Sequence, residues 1–266
     1  MPDFRVTRYR IRTENEQPGP DAPFSAVFLS DLHNESYGDG NSRLLQEIRN
    51  ENPRLVLIAG DMVTSTEEPQ MEASLALMNE LTRKYPVFYV NGNHESRLKE
   101  KPENYPEAVY EKYASAIRSC GVRLLENRSE TIVVHRMPIT ISGLELPMDY
   151  YQRMHREELT VERMENLLGK APDSGYQLLL AHHPSYFDTY AAWGADLTLS
   201  GHLHGGIIRL PLLGGMISPQ LRLFPKYDKG FFTLGDKKMV VSAGLGGHTV
   251  KLRINNPPEL VVLDFL

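Results

Sequence analysis

The chain has 266 residues, enough for one large domain or two small ones and for a sizeable core. With 41% hydrophobic and 24% charged residues it has an ordinary globular composition, and a net charge of −5 shows no basic footprint of the kind a nucleic-acid binder carries. Cys120, the single cysteine, excludes an internal disulfide and a thiolate metal cage. In chain order, the polar stretch 1–20 contains no apolar export core, and no run approaches the roughly 18 apolar residues of a membrane span. The expectation is a soluble, cytoplasmic protein, or a membrane-associated one if an upstream anchor has been removed. Residues 5–12 alternate weakly as a strand and are followed by a loop over 14–21. Apolar runs at 26–29, 55–59 and 87–90 read as buried strands. Helical spacing separates them at 41–50 (Leu44, Leu45, Ile48) and 71–84 (Leu75, Met78, Leu81). A helix over 107–119 and a strand at 122–125 continue the rhythm, which points to βαβ units and a largely internal sheet.

The middle of the chain changes character. Residues 130–134 and 139–142 read as a strand pair, 156–168 as a helix, and 178–181 and 197–199 as buried strands. The final third is mostly strands, at 230–234, 239–242, 250–254 and 260–266. No repeat, low-complexity tract or linker interrupts the chain. The expected fold is therefore α/β, one domain over 1–266, with two mixed β-sheets sandwiched between helices.

Five of the strand runs end in polar residues. Residues 26–29 lead into Ser30-Asp31-Leu32-His33, 55–59 into Gly60-Asp61, and 87–90 into Asn91-Gly92-Asn93-His94-Glu95. Residues 178–181 lead into His182-His183-Pro184, and 197–199 into Ser200-Gly201-His202-Leu203-His204. Ligand crevices in open α/β sheets form outside the carboxyl ends of strands, so these side chains are expected to converge on one rim. Nitrogen and oxygen donors without thiolates suit divalent Mn, Fe or Zn. Asp-x-His and His-x-His put donors at i and i+2, on one side of an extended segment. Taken singly, Gly60-Asp61 reads as a turn, Asp31-Leu32-His33 as a helix cap beside a surface histidine, and Asn91-Gly92 as a turn dipeptide. Five such endings in one chain point instead to a shared metal centre.

In this order and spacing, the motifs resemble those of the calcineurin-like metallophosphoesterases, from residue 31 to residue 204. The segments 205–211, 226–230 and 256–259 resemble a bacterial phosphodiesterase branch, some members of which act on lipid-linked UDP-sugars. The resemblance implies a four-layer sandwich and a binuclear centre. Asp31, His33, Asp61 and His204 would hold one metal, Asp61, Asn93, His182 and His202 the other, with Asp61 bridging. It also implies hydrolysis of phosphodiester or pyrophosphate bonds by a metal-bridging hydroxide, on a small-molecule or lipid-linked nucleotide substrate. Two such cations outweigh the carboxylates of Asp31 and Asp61 by about two charges, attracting a phosphate to an otherwise acidic protein. Neutral Asn93 preserves that excess.

His94 is expected to be catalytic, stabilising phosphoryl charge or protonating the leaving alkoxide; the alternative is that it orients a ligand. Glu95 is expected to hydrogen-bond the His94 ring, and His183 to face away and pack. His135, His155 and His248 are expected on the surface or in loops, with the alternative that His248, in Gly246-Gly247-His248, approaches the rim. Loops 145–156 and 210–230 are expected to carry specificity, with Met148, Tyr150, Tyr151 and Phe224 either walling a lipid or base or serving as loop packing. The competing readings are a phosphomonoesterase or protein phosphatase, and a non-catalytic metal-binding scaffold. A serine hydrolase is set aside because the chain has no Gly-x-Ser-x-Gly elbow.

Overall fold

The computed structural model describes residues 4–13, 19–152, 158–206, 226–247, 253 and 255–266, together with the backbone of 209–210 and 214–215. The first half runs β1 (Arg5–Ile11), β2 (Phe24–Leu29), α1 (Ser42–Glu51), β3 (Leu55–Ala59), α2 (Glu72–Thr82) and β4 (Val87–Val90). It continues with α3 (Asn93–Glu100), α4 (Val109–Ser119), β5 (Arg123–Leu124), β6 (Arg128–Val134) and β7 (Met137–Leu144). The second half runs α5 (Val161–Leu168), β8 (Tyr176–Ala181), α6 (Phe187–Trp193), β9 (Leu197–Ser200), β10 (Arg209–Leu210) and β11 (Gly214–Gly215). It closes with β12 (Gly230–Leu234), β13 (Lys237–Val241) and β14 (Glu259–Phe265).

Two six-stranded sheets result, as expected. The first has the order β1-β14-β2-β3-β4-β5 and the second β12-β13-β9-β8-β7-β6, while β10 and β11 pair separately. Both are mixed: β2, β3, β4 and β5 are parallel, with β14 antiparallel to β2. In the second sheet β7, β8, β9 and β13 are parallel, and β6 and β12 are antiparallel edges. Strands such as Leu55–Ala59 are apolar at every position because both their faces are covered. Phe28, Leu57 and Phe88 of the first sheet share one core with Ile141, Leu180, Leu199 and Val240 of the second. On the first sheet's other face Val27, Val56 and Tyr89 meet Leu44, Ile48, Leu77, Tyr113 and Ile117 of α1, α2 and α4. On the second sheet's other face Leu179 meets Met164, Tyr190 and Trp193 of α5 and α6. The layers are thus helix, sheet, sheet, helix. Each large apolar side chain buried this way stabilises by about 1.5–3 kcal/mol, and together they hold the strand ends of the two sheets against each other.

Two helices have no counterpart in the sequence reading. Helix α3, NHESRLKE, buries only one large apolar side chain, Leu98, so it shows no apolar stripe. Helix α6 has only seven residues, too few to display a period. Helix α5 begins at Val161 rather than near 156, where the Thr160 hydroxyl accepts from the Arg163 amide at 3.1 Å and stops the helix extending backward. The expected strand at 250–254 lies outside the described residues except for Arg253, as do 14–18 of the first loop. His155, Phe224, His248 and most of the 210–230 loop are likewise outside them. No helix among the described residues is long and apolar enough to cross a membrane.

Candidate metal centre

Strands β2, β3 and β4 are adjacent and parallel, so their carboxyl ends deliver Asp31, Asp61 and Asn93 side by side. Adjacent β8 and β9 do the same for His182 and for the loop of His202 and His204. The landings are stitched together by backbone: the Asp31 amide donates to Gly60 O at 2.9 Å, the His33 amide to Asp61 O at 3.0 Å, and the Gly201 amide to His182 O at 3.1 Å. Glycine is required at two of these crossings. A Cβ on Gly92 would run into Asp61, and one on Gly201 into Ser30 and Asp31. Five of the seven candidate ligands adopt left-handed backbone: Asp31 (φ 52°), His33 (49°), Asp61 (53°), His202 (70°) and His204 (50°). Each such residue costs about 1 kcal/mol or more, and strain of this kind collects where function fixes a side chain.

All seven candidate ligands are buried. Their donor atoms fall into groups whose members lie within 4.8 Å of one another: Asp31 with His33 and His204, Asp61 with His182 and His202, and His33 with Asp61 and His94. In the first group His33 Nε2 faces His204 Nε2 at 3.0 Å, and His204 Nε2 lies 3.4 Å from Asp31 Oδ1. In the second, His182 Nε2 lies 3.1 Å from Asp61 Oδ2, though the pair is not aligned as a hydrogen bond. Nδ1 of His182 sits 2.6 Å from Ala59 O, which can only accept, so Nδ1 carries a proton and Nε2 points its other face into the cluster. Asn93 Oδ1 is also buried without a hydrogen-bond partner. Buried polar atoms with no partner are rare. Here two of them sit on residues expected to be ligands, so the donor set fits divalent metal.

The electrostatics agree. Burial, reinforced by the charge of Asp61, pushes the Asp31 carboxyl up to about 7 against the pull of His182. Burial acts the same way on Asp61, but His182, His94 and His33 outweigh it and hold that carboxyl well below its ordinary value. Burial alone would lower His182, yet Asp61 and Asp31 raise it to about 9. The shift favours a protonated His182 facing the two carboxylates.

His94 stands at the edge of this cluster, its Nε2 4.0 Å from Asp61 Oδ2. Its Nδ1 accepts from the Ser65 amide at 2.8 Å, and its own amide donates to Asp61 Oδ1 at 2.8 Å. A backbone amide can only donate, so the neutral ring carries its proton on Nε2. Burial lowers the pKa of His94, opposed by Asp61 and reinforced by Arg97, which favours that neutral form.

Two expectations need correction. Glu95 makes no bond to the His94 ring among the described residues. Its fully buried carboxylate accepts from the amides of Asp61 (2.9 Å), Met62 (2.8 Å) and Gly92 (2.9 Å) and from the Tyr89 hydroxyl (2.6 Å). The start of α3 turns the Glu95 side chain beneath the two loops, where these amides would otherwise lack acceptors. His183 packs, as expected, but it does not face away from the site: its ring lies 4.7 Å from that of His202 and 5.3 Å from that of Tyr151. His135 lies in the turn between β6 and β7, as expected of a loop residue, with its ring stacked on Phe24. The carboxyl-terminal segment also reaches the site. The amides of Leu245 and Gly246 donate to Ser30 O (3.1 Å) and Asp31 O (2.6 Å). Asn256 Nδ2 donates to the carbonyls of His204 and Gly206, and Arg253 reaches His204 Nδ1 at 3.2 Å. No periodicity or motif logic marks these contacts, because the residues meet the site only through space.

Two Bacillus subtilis (strain 168) proteins are similar along nearly the whole chain. The uncharacterized metallophosphoesterase YkoQ is 25% identical over 259 residues, covering 97% of this chain and 89% of YkoQ. Uncharacterized metallophosphoesterase YkuE is 26% identical, covering 97% of this chain and 84% of YkuE. The phosphodiesterase YaeI of Escherichia coli (strain K12) is 24% identical, covering 99% of this chain and 88% of YaeI. The family profile described as calcineurin-like phosphoesterase matches residues 24–206, the span that holds all five strand-end motifs. By that match the chain belongs to the calcineurin-like phosphoesterase family.

Proposed function

We propose that the chain is a single-domain, binuclear metal-dependent hydrolase of phosphodiester or pyrophosphate bonds. The observation that carries this reading is the convergence of two buried donor groups, Asp31-His33-His204 and Asp61-His182-His202, with the partnerless Asn93 Oδ1 beside them. Asp31, His33, Asp61 and His204 would hold one cation, Asp61, Asn93, His182 and His202 the other. Bound there, divalent cations would supply Lewis acidity to a phosphoryl oxygen and lower the pKa of a coordinated water.

The protein's own groups do the rest. Glu95 fixes the loops of Asp61 and Gly92 relative to each other. The His182 Nδ1–H bond to Ala59 O fixes that ring across the two sheets. His94, held through Nδ1 by the Ser65 amide, presents Nε2–H to the charge that grows on the phosphoryl group; in this neutral form it acts as a hydrogen-bond donor rather than an imidazolium acid. Preference for diesters draws support from the name of YaeI.

The test uses protein stripped with chelator and reloaded with Mn(II) or Zn(II), assayed on bis-p-nitrophenyl phosphate and p-nitrophenyl phosphate. The expected result is metal-dependent cleavage with the diester preferred. His94→Gln should lower kcat by about 10²–10⁴-fold while metal stoichiometry stays at the wild-type value. A metal-loaded protein inert on both esters defeats the proposal, and preference for the monoester moves it to the phosphomonoesterase reading.

A further inference from the structure

The segment after β7 places one aromatic residue at the second donor group. Tyr151 ends a single 3-10 turn, Met148–Tyr151, which is tied down by the Tyr150 amide to Pro147 O (3.1 Å) and by the Gln152 amide to Asp149 O (3.0 Å). Tyr150 serves as loop packing, 5.7 Å from the ring of Tyr186. The Tyr151 ring turns the other way. Its centroid lies 5.2 Å from that of His202, 5.3 Å from His183 and 6.1 Å from His182, and the residue is only 9% exposed.

Buried tyrosines generally find a partner for the hydroxyl. In this protein Tyr37 donates to Leu245 O, Tyr89 to Glu95, Tyr110 to Glu126 and Tyr190 to His183 O, and Tyr113 bonds Ser74. Two hydroxyls break the pattern among the described residues. That of Tyr176 is sealed in the core between the sheets, at the start of β8 and a strand's length from the site. That of Tyr151 forms no hydrogen bond among the described residues and, unlike that of Tyr176, is not shut off from solvent, while its ring stands against two of the candidate ligands. Position and missing partner together suit a donor kept for something that enters the site.

We propose that Tyr151 is a substrate-contacting residue, its hydroxyl donating to a phosphoryl oxygen at the Asp61-His182-His202 corner while its ring braces His202. The inference rests on the phosphoesterase reading above. A hydroxyl bonded to an anionic oxygen is a charge-assisted donor whose loss is felt in binding and turnover.

The experiment compares Mn(II)-loaded wild type, Tyr151→Phe and Tyr151→Ala as full chains. Three quantities are measured: Mn(II) affinity by calorimetry, affinity for inorganic phosphate with the metal in place, and kcat/KM on bis-p-nitrophenyl phosphate. Tyr151→Phe should keep Mn(II) affinity within twofold, weaken phosphate binding by about tenfold, and lower kcat/KM by about ten- to a hundredfold. Tyr151→Ala should in addition weaken Mn(II) binding several-fold, because the ring no longer braces His202. A Tyr151→Phe protein within twofold of wild type in both phosphate affinity and kcat/KM overturns the proposal. So does one that loses Mn(II) affinity in step with activity, since the hydroxyl would then act on the ligands. A wild type that binds Mn(II) but cleaves no phosphoester overturns the enzymatic reading, and the phosphate titration then decides Tyr151 by itself.

Discussion

The first sheet brings Asp31, Asp61 and Asn93 to the rim with two imidazoles, His33 and His94, whereas the second sheet brings only imidazoles, His182, His202 and His204. The first rim taken alone would bury two carboxylates beside each other, with the Glu95 carboxylate directly behind, an arrangement that desolvation and repulsion oppose. The second rim supplies His182, which Asp61 and Asp31 raise to about 9, so that its proton offsets their charge. Charge balance at the centre is therefore a property of the interface between the sheets. Neither half holds it alone.

The strongest way to break this balance is Asp61→Asn, because Asp61 faces His182 and accepts from the His94 amide. Activity should fall by at least about a thousandfold, with weakened metal binding in elemental analysis. A variant that keeps more than a tenth of wild-type activity would show that Asp61 is not shared between the donor groups. Glu95→Gln disturbs only the first rim. Its amide nitrogen would face backbone N–H donors that now meet a carboxylate, and the metal-free protein should lose about 2–4 kcal/mol in denaturant unfolding. A loss below 0.5 kcal/mol, on the order of a surface change, would mean water replaces that carboxylate without penalty.

The smallest effect is also the one that sharpens the comparison most. His182 has a folded-state pKa of about 9 against an ordinary 6.5, so its stabilising contribution is complete below 6.5 and is lost as pH rises through 9. Asp31, raised from 3.8 to about 7, acts in the same direction at lower pH. Asp61, lowered, contributes fully above 3.8 and does not vary over this range. The Tm of metal-free protein should therefore fall between pH 6.5 and 9. Excess Mn(II) should shrink or reverse the fall, because the ligands bind metal in their deprotonated forms. A flat metal-free profile would show that His182 is not protonated against Asp61.

Much of this was legible in the chain. The strand runs at 26–29, 55–59, 87–90, 178–181 and 197–199 are short, apolar and bounded, and each polar ending sits next to its strand, so local reading suffices. Helix α3 was not legible, because its polar sequence is held by Glu95 reaching backward to Gly92 rather than by an apolar stripe. The place of β14, inserted between β1 and β2, was not legible either, since nothing local says which neighbours a buried strand will choose. The backbone partners of Glu95 and the contacts of Asn256 and Arg253 with the site escaped for the same reason, and Tyr151, named only as a loop wall or packing residue, was not tied to His202.

By itself, then, the sequence determined which atoms are offered and at which strand ends, because side-chain chemistry and apolar runs are local properties. Only the tertiary structure decided that Asp61 and His182 meet across two sheets, that Glu95 turns inward to the backbone, and that the Tyr151 ring stands beside His202. Such relations depend on distances between residues far apart in the chain, and packing alone sets those distances.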